Sequence, residues 1–128
     1  MKELGRMNVT KEQLDEIFDQ EHKGTSVKNC IGAKITVTGF ALYVTDEDNK
    51  YHLKFFGESG QGNTEDFFTG SQVFIKDFMR IAQNVPDGES FLITVCEGES
   101  KKGRKYLYIE EAPKTTTNNN NWRSIDFS

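Results

Sequence analysis

Hydrophobic spacing changes twice along the first half of the chain. After Thr10, Leu14, Ile17 and Phe18 recur at three- and four-residue steps, the period of one helical face. Thr10 stands in a capping position with Gln13 three residues on, so a helix is expected to start there and to end by Gly24. Over residues 26–45 the period drops to two. Ile35 and Val37 alternate with Lys34, Thr36 and Thr38, and the density of β-branched residues predicts a long strand. Beyond Gly39 the apolar set becomes Phe40, Leu42 and Val44, a one-residue change of phase that predicts a bulge or bend at the glycine. A polar turn at 46–49 leads into a second strand at 50–56. Its alternation puts Tyr51, Leu53 and Phe55 on one face and His52, Lys54 and Phe56 on the other, and leaves open which face is wet.

The glycine-rich stretch 57–63 reads as a loop before a short third strand at 65–69. Ser71 starts a second helix, whose buried face is expected to carry Phe74, Ile75, Phe78, Met79 and Ala82, and Pro86-Asp87-Gly88 stops it. Residues 90–97 form a nearly continuous apolar run, as a central strand requires. A basic turn at 98–103 joins it to a last strand at 104–111, with Leu107 and Ile109 facing one way and Arg104, Tyr106 and Tyr108 the other. From Pro113 the chain turns to threonine and asparagine, with too little apolar surface to order itself. The expected organisation is a helical extension at 1–25, a barrel domain at 26–112 and a disordered tail at 113–128. A long glycine-kinked first strand, with a helix between strands 3 and 4, predicts a mainly β, five-stranded OB-fold, a Greek-key barrel, carrying an N-terminal helix. An open α+β sheet is the alternative. The apolar stripe of the first helix serves either self-association, giving a small homo-oligomer, or packing of a monomer's helix on its own barrel.

Composition narrows the function. At 128 residues the chain suits one domain, and no apolar run approaches the roughly 18 to 20 residues that span a membrane. The charged start, Lys2, Glu3, Arg6 and Lys11, lacks the hydrophobic segment of a secretory leader, so a cytoplasmic protein is expected. Cys30 and Cys96 lie apart without zinc or redox spacing and read as buried free thiols. A net charge of −4 argues against non-specific electrostatic binding of duplex DNA, yet a single-strand binder draws much of its affinity from stacking, and 12% of the residues are aromatic. His22 and His52 accompany no nucleophile motif, metal spacing or phosphate loop, so neither catalysis nor a cofactor is expected.

Three clusters carry candidate chemistry. In Ser100-Lys101-Lys102-Gly103-Arg104-Lys105-Tyr106-Leu107-Tyr108, cations at a turn can track phosphates while two tyrosines on one strand face offer stacking platforms, although a solvated hairpin has the same composition. Tyr43, Lys50, His52, Lys54 and Phe56 form a second set if that face of the first hairpin is the outer one. Trp122, Ile125, Asp126 and Phe127, beyond the asparagine tract, resemble loosely the partner-docking tip of bacterial single-strand binders. Arg123 departs from the acidic character of such tips, and a tail that folds back or does nothing has the same sequence.

The C-terminal hairpin, Phe91-Leu92-Ile93-Thr94-Val95 followed by Glu97-Gly98-Glu99-Ser100-Lys101-Lys102-Gly103-Arg104-Lys105-Tyr106-Leu107, resembles the small single-stranded DNA-binding proteins of tailed phages that replicate by protein priming. Phe67-Phe68-Thr69-Gly70-Ser71 gives a looser echo, and the order of elements extends the likeness over 26–112. The resemblance implies a protein of the infected cell's cytoplasm that coats displaced single strands during DNA replication without reading their sequence, and the tail tip, on its own looser likeness, adds replication proteins as the docking partners. It carries the family's contact role to Lys101, Lys102, Arg104 and Tyr106. The N-terminal helix is a departure from that pattern. An RNA-binding module of the cold-shock type, or a protein-interaction domain without nucleic acid, is the competing expectation.

Overall fold

The computed structural model describes residues 1–20, 23–47, 49–59 and 64–110. The architecture is mainly β, a curled half-barrel of mixed sheet with two helices. Among the described residues seven strands take part, where the sequence pattern predicts five: β1 (Lys2–Met7), β2 (Thr25–Ser26), β3 (Lys34–Val44), β4 (Tyr51–Glu58), β5 (Thr64–Thr69), β6 (Phe91–Glu99) and β7 (Lys105–Ile109). The helices are α1 (Lys11–Asp19) and α2 (Gln72–Ala82). The sheet order is β2-β5-β4-β3-β6-β7, with β1 also paired to β3 and only β2–β5 parallel. Among the described residues no helix is long and apolar enough to cross a membrane.

Strand β3 organises the fold. Along one side it pairs with β4 over nearly its whole length, and the other side is divided: Lys34–Val37 pair with β6, Phe40–Val44 with β1. The division falls at the predicted bend, where the β3–β4 register shifts between Val37 and Gly39. A Cβ on Gly39 would stand 3.0 Å from the Met7 carbonyl oxygen, so any other residue there would push β1 back by a few tenths of an ångström. Asn8, at positive φ, ends β1 and donates from its side chain to the Thr38 and Gly88 carbonyls. The change of phase keeps Ile35, Val37, Phe40 and Leu42 all on the inner face, each fully buried.

Helix α2 fills the inside of the curl. Its N-cap is Ser71, as the pattern predicts, and Phe74, Ile75, Phe78 and Met79 are completely buried against the sheet. Phe78 meets Phe40 edge-on at 5.4 Å and Phe91 at 5.4 Å, while Phe55 stacks on Phe67 at 5.1 Å, so the core is built largely from phenylalanine. Gln72 ties the helix start to β4 through bonds with both the N–H and the carbonyl of Tyr51. Asp77 accepts from the Ile109 N–H and holds the helix against β7.

The first 25 residues, expected as a helical extension, hold a strand as well as the helix. β1 supplies a sheet strand, and α1 lies on the outer face, where Leu14 and Ile17 pack with Val9, Ala41 and Tyr43 in a second core. Of the two fates open to its apolar stripe, packing on its own sheet is the one observed. The capping box is formed in full: the Gln13 N–H donates to Thr10 Oγ1 at 3.1 Å and the Thr10 N–H to Gln13 Oε1 at 2.8 Å. The helix stops at Asp19, earlier than Gly24, which serves the entry to β2 instead. There φ is +103° and a Cβ would lie 2.7 Å from the Asp66 carbonyl oxygen. The tail expectation at 113–128, and His22, lie outside the described residues.

Candidate nucleic-acid interface

The outer face of the sheet divides at Gly39 into a covered half and an open half. Register puts His52 opposite Tyr43, Lys54 opposite Ala41 and Phe56 opposite Gly39, so of the two phases the alternation leaves open, the one with His52, Lys54 and Phe56 on the outer face is observed. Leu53 and Phe55 point inward and are fully buried. Yet the face is not the open surface that the second candidate cluster requires, because α1 covers it. Tyr43 is 2% exposed, meeting Phe18 edge-on at 5.5 Å and stacking on His52 at 5.6 Å. Phe56 is half-buried beside the same cluster.

Lys54 is likewise closed off from solvent, against the expectation for an outer-face contact residue. It is 3% exposed, its Nζ donating to Asp66 Oδ2 at 2.9 Å and to the Lys23 carbonyl, so it anchors the segment that follows α1. Burial raises the Asp66 carboxyl, but the bond and charge of Lys54, with Lys23 behind it, outweigh that and hold it below the usual carboxylate range. Lys50 is exposed and His52 half-buried, at the strand end away from the bend. Of the five residues in this cluster, these two and Phe56 retain access to solvent.

Among the described residues no helix lies over the other half of the outer face. Lys34 pairs with Thr94, Thr36 with Leu92, Cys96 with Tyr108 and Gly98 with Tyr106, so these side chains form one continuous surface across β3, β6 and β7. Leu92 is 40% exposed and Tyr106 39%, both unusually open for large apolar groups. The Tyr106 ring lies over Gly98, whose added Cβ would come within 2.6 Å of Cζ. One ring face is thus held against the sheet and the other is left to solvent. The Tyr108 ring follows with centroids 5.9 Å apart, at 45°.

The turn next to them is well built. Ser100 N–H donates to the Arg104 carbonyl at 2.8 Å, Gly103 N–H returns to the Ser100 carbonyl at 2.9 Å, and Gly103 adopts φ +79°. This is a three-residue hairpin loop with glycine in the left-handed position. It presents Lys101, Lys102 and Arg104 as exposed cations, with Arg104 just outside β7. Lys105 is partly engaged by Glu97 at 3.7 Å.

Acidic groups mark the opposite end of this surface. Cys96 Sγ lies 3.4 Å from Glu110 Oε2, and burial together with the neighbouring carboxylate raises the thiol. Cys30 is also raised, chiefly by burial, with Glu65 adding to it. Both thiols are free and half-buried, rather than fully buried as expected. The open half therefore has cations at the turn, tyrosines in the middle, and Glu110 together with Lys34 at the far end.

Sequence reasoning singled out the turn and both tyrosines, which the fold brings together. It missed Lys34, Thr36, Leu92 and Thr94, which join the surface through pairing of β3 with β6. Their only sequence signal was alternation with Ile35 and Ile93. Trp122, Ile125, Asp126 and Phe127 lie outside the described residues. Among the described residues no group of three or more histidine, cysteine, aspartate or glutamate side chains is placed to hold a metal. No family model, curated protein or solved structure matches the chain.

Proposed function

We propose that this protein is an OB-fold module that binds single-stranded DNA without sequence readout, along the open half of its outer face. Strands β3 to β7, with α2 between β5 and β6, follow the strand and helix order of that fold. In this reading β1 and β2 are additions to the five-stranded plan, one filling the free side of β3 beyond the bend and the other extending the sheet past β5.

The observation that carries the reading is the juxtaposition of Tyr106 and Tyr108 with the cations of the 100–104 turn. Exposed rings fixed on a sheet provide stacking surfaces worth roughly 1 to 3 kcal/mol per base, and they are indifferent to base identity. Lys101, Lys102 and Arg104 neutralise phosphates at the turn, and Lys34 adds an exposed cation at the far end of the face. With a net charge of −4 the protein lacks the broad positive field that duplex binding uses, and a short basic turn beside aromatic rings suits a flexible strand better. The likeness of the C-terminal hairpin to phage single-strand binders supplies the setting: protection of displaced strands during phage DNA replication, in the host cytoplasm and without catalysis or cofactor.

Fluorescence anisotropy with labelled oligo-dT, duplex DNA and oligo-U at two salt concentrations tests this. Oligo-dT is expected to bind more tightly than the duplex, with a log-log salt slope of about −0.7 per phosphate contact. A preference for oligo-U transfers the proposal to RNA, and no binding to any of the three at low salt leaves a protein-interaction domain.

A further inference from the structure

The sheet order ends in β2 on one side and β7 on the other, and the two ends come together around a pocket. Ser26 from β2 and Leu107 from β7 both line it, with Lys28, His52, Phe68 and Ser71, around a volume of about 300 Å³. Its walls are chemically divided. Phe68, Leu107 and the stacked Tyr43–His52 pair supply flat, largely apolar surface, whereas Ser26, Ser71 and the exposed Lys28 place polar groups and a positive charge at the edge.

That combination fits an aromatic heterocycle bearing an anionic group, and the volume lies at the small end of ligand pockets. Gly70 makes room for it. Its nearest neighbours are His52 ring atoms, 3.8 Å from where a Cβ would sit, so any larger side chain there projects beside the imidazole.

We propose that this seam pocket seats a single nucleotide, with its base against the His52 and Phe68 rings and its phosphate toward Lys28. Resting on the single-strand reading above, the occupant is one nucleotide of the bound strand turned out of the track on the open face. A free nucleotide presents the same chemistry and is the simplest probe.

Titration of the ¹⁵N-labelled protein with dTMP, followed by amide chemical shifts, is the test. dTMP is expected to move the resonances of Ser26, Phe68, Gly70 and Ser71, and deoxyribose 5-phosphate, which lacks the base, to leave them in place. Gly70→Leu, at a position with ordinary backbone conformation and no clash at Cβ, is expected to weaken dTMP binding about tenfold or more by filling the pocket. Lys28→Glu, on the exposed edge, provides a second variant that leaves the core intact and is expected to weaken binding through the phosphate.

Shifts that are absent, or confined to β6, Tyr106 and Tyr108 on the open face, overturn the pocket even if oligo-dT binds the protein normally. Seam shifts that persist in both variants overturn it as well. If oligo-dT fails to bind while dTMP still moves the seam resonances, the single-strand reading falls and the pocket stands as a site for a free nucleotide.

Discussion

The two halves of the outer sheet face are built from the same strand, β3, and differ in what lies on them. Beyond Gly39 the face is covered by α1, and its aromatic residues, Tyr43 and Phe56, serve a second core. Before Gly39 no described element lies over the face, and of the aromatic residues that reach it from β7 Tyr106 is exposed and Tyr108 half-buried. An aromatic residue with lysine and histidine neighbours therefore reads identically in sequence whether it is a stacking surface or the floor under a helix. What separates the two is whether another element has apolar side chains to spare, and α1, with Leu14 and Ile17, has them.

The largest effect expected from this contrast is on stability. Ile17→Ala removes a buried anchor of α1 and is expected to cost about 2 to 4 kcal/mol in urea unfolding, without lowering oligo-dT affinity per folded molecule. A loss of binding that matches the loss of stability breaks the division of labour between the halves.

Tyr106→Ala should show the reverse behaviour. Binding to oligo-dT is expected to weaken by roughly 1 to 3 kcal/mol, with the unfolding midpoint little changed, because the ring is exposed. Unchanged affinity in this variant removes Tyr106 from the interface.

Replacing Lys101, Lys102 and Arg104 together by alanine is expected to make the salt slope less steep by about 2, at about 0.7 per phosphate contact for three contacts. A slope equal to that of the unaltered protein assigns the phosphates to other cations. Since the three side chains are exposed, stability is expected to stay within about 0.5 kcal/mol.

The smallest effect concerns the tie that follows α1. Because the folded Asp66 carboxyl lies below its unfolded value of about 3.9, its contribution is present in full above that pH and is lost as pH falls through the folded value. Thermal unfolding between pH 6 and about 2 should therefore show a loss below about pH 4 that is smaller in Asp66→Asn. Equal acid sensitivity in the two proteins assigns the loss to other carboxylates.

Much of the fold is legible in the alternation. The long strand, its bend at Gly39, the capping residues Thr10 and Ser71 and the buried face of α2 all follow from local spacing, and the structure reproduces them. β1 does not. Lys2–Met7 is polar and aperiodic, and it becomes a strand because β3 beyond its bend has unpaired N–H and carbonyl groups on that side. β2, two residues long, forms for the same reason against β5. The candidate site was legible where it is local, in a hairpin whose turn and tyrosines are close in sequence. It was not legible where partners come from distant strands, as Lys34 and Thr94 do.

By itself the sequence determined the long strands, the two helices with their caps and where the chain turns, since these depend on side chains within a few residues of one another. Only the tertiary structure decided that Lys54 is an internal anchor and Tyr43 a core residue, that Tyr106 lies on Gly98 with one face free, and that the sheet's two ends share a pocket. Exposure depends on what remains uncovered once every apolar surface has found a partner, and those partners lie far apart along the chain.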